Sequence, residues 1–150
     1  MEDAFNQKNN FTLSILNLHQ RRPSKSISPM TSLPSQINFS VGIDSITNVS
    51  GVMGGDLDPT KGMYWTWQSG YINFKLESSK ITYHLGGYAS PYPTIQNFSF
   101  KINNQHPHFV FDADKFLSLA LLQRKTNIMS PGADAYHIAQ YLQNVFSLKE

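Results

Sequence analysis

The chain contains no cysteine. Disulfides, thiolate zinc sites and cysteine-ligated iron–sulfur clusters are therefore excluded. The compartment stays open, because a domain of this length can bury a core without disulfides. Charge is also scarce: 15% of residues are charged and the formal net charge is +2. That balance does not suggest a nucleic-acid partner. The one basic cluster, Arg21, Arg22 and Lys25, sits among serine and proline and reads as a solvated loop. No window of about 18 apolar residues exists, so no helix is expected to span a membrane. The opening residues Met1-Glu-Asp-Ala-Phe-Asn6 are acidic and polar, unlike the basic start of a signal peptide. Two expectations follow: residence in the cytoplasm, or export with the signal already removed. There is no internal repeat, P-loop, G-x-S-x-G elbow or H-E-x-x-H motif, and no carboxylate spacing suggests a glycosidase pair. The chain reads as a binding protein and not an enzyme.

Aromatic residues are what the chain has in plenty, at 13% of 150 residues. With many Phe, Tyr, Ser and Asn and little charge, it reads as β-rich and extracytoplasmic. Alternating segments supply the strands. Phe11-Thr-Leu-Ser-Ile15 is the first, and residues 20–36 form a loop. Ile37, Phe39, Val41 and Ile43 then share one face. Residues 48–62, rich in glycine, are expected to be loop throughout. Residues 71–77 and 81–85 form a pair of strands joined by Ser78-Ser79-Lys80, a linker short enough for a hairpin. Two more strands are expected over 96–103 and 108–113. Helix is expected only late, over 114–123 and 133–146, where Ile138, Leu142, Val145 and Phe146 make an apolar stripe. The predicted architecture is an antiparallel β-sandwich with one or two C-terminal helices packed on it. Residues 1–36 form an N-terminal segment and residues 37–150 the sandwich domain.

The most informative stretch is 51–74, which holds both tryptophans. If residues 63–71 are extended, Met63, Trp65, Trp67, Ser69 and Tyr71 share one face. Two readings follow: the rings fill a corner of the core, or they line a ligand site that stacks on a sugar or shields a soft metal. Among the histidines, His84 lies opposite Ile81, Tyr83 and Leu85 on its strand, close in sequence to the tryptophan run. His106 and His108 flank Pro107; such a pair on a strand binds copper or zinc, whereas on a turn it is an exposed loop end. His19 and His137 read as surface residues. Asp44, Asp56 and Asp58 resemble the start of a calcium loop without its later ligands, and read as turn caps.

Several of these segments together resemble the MbnP-like domain family. They are Phe39-Ser-Val-Gly-Ile-Asp44, Gly54-Gly-Asp-Leu-Asp-Pro59, Gly62-Met-Tyr-Trp-Thr-Trp-Gln-Ser-Gly-Tyr71 and Tyr83-His-Leu-Gly-Gly87. The family takes its name from a protein associated with methanobactin, a copper-chelating peptide. The resemblance implies a periplasmic or cell-surface β-sandwich that binds copper or a copper chelate through histidine nitrogen and a kynurenine made by oxidising tryptophan. Carried over, the histidine is His84 and the tryptophan is Trp65 or Trp67. Met63 is a nearby soft donor, and His106 and His108 are further candidates by residue type. The alternative to copper capture is a recognition module that stacks a carbohydrate or protein partner on Tyr64, Trp65 and Trp67. That alternative predicts exposed indoles.

Overall fold

A computed structural model describes residues 35–68, 70–103 and 108–149. The strand expected over 11–15, the loop up to residue 34, His19, Arg21, Arg22, Lys25, Ser69 and His106 lie outside the described residues. In chain order the elements are β1 (Gln36–Val41), α1 (Ser45–Val49), β2 (Tyr64–Trp65), β3 (Gly70–Glu77), β4 (Thr82–Gly86), β5 (Gln96–Lys101), β6 (His108–Phe111), α2 (Ala113–Leu121), β7 (Asn127–Ile128), α3 (Ala133–Gln140) and β8 (Phe146–Lys149). Mainly strands, with the short helices α2 and α3 late in the chain, they bear out the expected β-rich class; α1 is an additional early helix.

Among the described residues three sheets carry the structure. β1 pairs antiparallel with β5, and β6 with β8, while β2-β3-β4-β7 form a four-stranded sheet. Phenylalanines join them. Phe39 faces Phe98 across the β1–β5 ladder with ring centroids 5.0 Å apart. Phe98 then meets Phe146 of β8 at 4.9 Å, and Phe111 of β6 meets Phe74 of β3 at 5.9 Å. Aromatic contacts of this kind add about 0.5–1.5 kcal/mol each beyond the area they bury. The four-stranded sheet turns Tyr83 and Leu85 into the core with Phe116, Ala120, Ile138 and Leu142, all essentially inaccessible. Phe116 and Ala120 stand one helical turn apart on α2, so one stripe of that helix faces the core. Asp112 caps α2 by accepting from the Lys115 amide at 2.9 Å.

The hairpin expected between β3 and β4 is present. The Ser78 hydroxyl accepts from the amides of Lys80 and Ile81, and the Ser78 amide donates to the Ile81 carbonyl at 2.8 Å. Four readings need correction. First, β1 stops at Val41 instead of running to Ile43. Gly42 adopts φ 118°, and a Cβ there would lie 2.7 Å from the Asn73 side chain. Second, residues 48–62 are not all loop; α1 and two short 3-10 turns lie in and beside them. Third, helix does not continue to Phe146. α3 ends at Gln140, a 3-10 turn covers Tyr141–Asn144, and Phe146 opens β8 opposite Phe111. A helical stripe and a chain turning toward a strand share the same early apolar positions, and pairing with β6 decides between them. Fourth, β7 pairs in parallel with β4. Its two residues are too few to show a period.

Candidate functional site

The glycine- and acid-rich segment before the tryptophans is held from within. Asn48 is buried, and its amide nitrogen donates to the carbonyls of Ile43 and Asp44 at 3.0 and 3.1 Å. Its oxygen accepts from the Tyr71 amide at 2.9 Å, which ties α1 to β3. The Tyr71 hydroxyl accepts from the Met53 amide at 3.1 Å and lies 3.1 Å from the Leu57 carbonyl. Asp44 caps α1 through the Thr47 amide, and Asp58 caps the next turn through the Thr60 amide, each at 2.8 Å. Asp56 pairs with Lys61 at 2.9 Å. These carboxylates act as caps and ion-pair partners, as the turn-cap reading expected.

The tryptophan run is not one extended strand. Only Tyr64 and Trp65 are paired, opposite Tyr71 and Gly70, and residues 66–68 turn. The shared strand face expected for Met63, Trp65, Trp67 and Tyr71 therefore does not form. The turn still brings the two indoles together, with centroids 5.9 Å apart and planes at 49°. Trp65 is 6% exposed and Trp67 66%. Trp65 packs against Gly86 of β4: a Cβ at that glycine would come within 2.6 Å of the ring and 2.6 Å of the Tyr71 carbonyl. The Trp65 Nε1 is buried and has no hydrogen-bond partner. A buried donor left unmatched costs about 1–3 kcal/mol, so this indole position is not explained by packing alone.

His84 is 8% exposed. Alternation along β4 turns it away from Tyr83 and Leu85 and onto the face that carries Gly86. Its Nε2 lies 2.7 Å from Glu77 Oε1, and Lys75 Nζ lies 3.4 Å from the same oxygen. The imidazole hydrogen bond, with help from the Lys75 and His84 charges, holds the Glu77 carboxyl below its ordinary value of 4.5, against a smaller opposing effect of burial. The β3–β4 register explains the contact: Lys75 faces His84, and Glu77 faces Thr82 one step along the same side. Sequence reasoning missed Glu77 as the partner of His84. The three-residue hairpin linker was the signal that would have found it.

The structure thus puts His84 and Trp65 on one sheet face, two strand positions apart by way of Gly86, with Glu77 steadying the imidazole. Met63 is half-buried at the foot of β2, and its carbonyl accepts from the Ile72 amide at 2.9 Å. His108 is exposed and opens β6 opposite Lys149, in a different sheet from His84. His137 is exposed in the last turn of α3. Among the described residues no three His, Cys, Asp or Glu side chains converge as a metal site. His84 and Glu77 supply two donors, and an intact indole supplies none. No helix among the described residues is long and apolar enough to cross a membrane.

The MbnP family model matches residues 2–134. No curated protein and no solved structure matches the chain. Spanning most of the sequence and the whole His84–Trp65 face, the family match shows that the chain belongs to the MbnP family.

Proposed function

We propose that this protein is a non-enzymatic copper-binding protein that works outside the cytoplasm, in the periplasm or at the cell surface. Copper, free or carried in a chelate, is its cargo. The ligands are His84 and a kynurenine formed at Trp65. One observation carries the choice of Trp65 over Trp67: its indole nitrogen is buried, unpaired and on the His84 face, whereas Trp67 stands in solvent. Dioxygen adds across the indole C2–C3 bond to give N-formylkynurenine, and hydrolysis releases formate. The aniline nitrogen and side-chain carbonyl of the resulting kynurenine are donors that indole lacks. Cu(I) accepts few ligands and favours nitrogen and thioether donors, so His84, the new aniline and Met63 fit its chemistry. Glu77 fixes the imidazole through Nε2, which leaves Nδ1 as the nitrogen offered to a metal.

Intact-mass analysis of protein exported by a bacterial host tests the modification, with a gain of about 4 Da expected and localised to Trp65. Cu(I) titration against a competing chelator tests the ligand. His84→Ala is expected to abolish tight binding. Unchanged affinity in that variant refutes the assignment.

A further inference from the structure

A second cleft, which shares Trp65 with the His84 face, lies beside the tryptophans. It has a volume of about 300 Å³ and opens to solvent between the turn after β2, the segment following β4 and the start of α3. Trp65, Tyr88 and Tyr92 line it, with Gln68 and Ser90 as polar groups and glycines, Ala89 and Pro131 completing the wall. Two of those glycines, Gly87 and Gly132, have φ of 127° and 145°, so the wall is shaped by turns that a side chain would strain. Tyr92 is held from behind by Tyr136 of α3, ring centroids 6.0 Å apart. Trp67 continues the aromatic wall beyond the rim, since its exposed ring packs on that of Trp65.

We propose that this cleft binds a neutral carbohydrate, the end of a glycan. Three features select that class. Among the described residues no Lys, Arg, Asp, Glu or His lines the cleft, so a charged ligand would lose its hydration and find no counter-ion among them. The polar groups are an amide and hydroxyls, which both donate and accept and so match the hydroxyls of a sugar. The aromatic residues offer surface to the C–H face of a pyranose. The volume lies at the small end of the roughly 300–1,000 Å³ typical of ligand sites, and the open side lets a chain continue past Trp67. Trp65 is shared with the proposed copper site, but His84 and Glu77 are not in the lining, so loss of copper binding and loss of sugar binding can be told apart.

Titration of the full chain with cellobiose, maltose and N,N′-diacetylchitobiose, read by tryptophan fluorescence and amide NMR shifts, tests it. At least one disaccharide is expected to give saturable shifts centred on Gln68, Tyr88 and Tyr92. Tyr92→Ala is expected to weaken that binding about tenfold or more, and Gln68→Ala, on an exposed turn where misfolding is not a concern, several-fold. His84→Ala is expected to leave it intact, which separates this site from the copper reading. No saturable response at tens of millimolar, unchanged binding in both cleft variants, or tighter binding of glucose 6-phosphate than of the neutral sugars would overturn the proposal.

Discussion

Trp65 and Trp67 are the same residue two positions apart, and the fold treats them in opposite ways. One is 6% exposed with a buried nitrogen that nothing satisfies; the other is 66% exposed at the tip of a turn. The difference does not arise in their own segment. Gly86, on a strand about twenty residues further along, leaves room for one indole to lie against the sheet, and β2 ends before the second can follow. Burial of Trp65 is therefore decided by a glycine one strand beyond its own ladder partner, Gly70. The same contact places Trp65 over Gly86, two positions along β4 from His84.

The largest expected effect breaks this contrast at its buried end. Trp65→Ala should destabilise the protein by about 3–5 kcal/mol in urea unfolding, the range for removing a buried large ring. Gly86→Ala attacks the same contact from the other side. Its methyl must displace the indole or the Tyr71 backbone, and a loss of about 1–3 kcal/mol is expected, with a shift in tryptophan emission that Trp65→Phe abolishes. Tyr71→Phe removes the hydroxyl that anchors Met53 and Leu57. It should cost about 1 kcal/mol and raise proteolytic cleavage between residues 51 and 58.

Glu77→Gln sharpens the comparison at the His84 end. The folded carboxyl is held below its unfolded value of 4.5. Its stabilising effect is thus fully present above that value and is lost as the pH falls through the lowered folded one. The variant should be slightly less stable than the parent at neutral pH, and the two should converge in acid; a gap that persists in acid would assign the effect to packing. Because Glu77 is about half exposed, the difference should be small. Smallest of all, Trp67→Ala should change stability by no more than about 0.5 kcal/mol, while it removes the tryptophan that acrylamide quenches first.

Much of the fold was legible because its strands alternate. β1, the β3–β4 hairpin, β5, β6 and α2 follow periods that fix which side chains face inward. The family resemblance was legible in the tryptophan run and the His-Leu-Gly strand. What escaped was pairing between distant segments. β8 hid inside an apolar stripe that also reads as helix, and β7 was too short to carry a period. The bulge between Ile72 and Phe74 gave no warning, yet with it Asn73 sits buried, accepting from the Ile43 amide and donating to the Thr94 hydroxyl at 2.9 Å each. The Glu77 contact to His84 needed the register as well as the pattern. The cleft of Tyr88 and Tyr92 left no motif, because its shape comes from glycine turns and from α3 closing one side.

By itself, the sequence determined that this chain is a β-rich domain of the MbnP family without cysteine chemistry. Composition and period-two alternation are local properties, so they survive reading one residue at a time. The tertiary structure alone decided which tryptophan is buried, which carboxylate holds the histidine and where an uncharged cleft opens. Each of those depends on a contact between residues far apart along the chain, and burial is a property of the assembled surface that no segment carries alone.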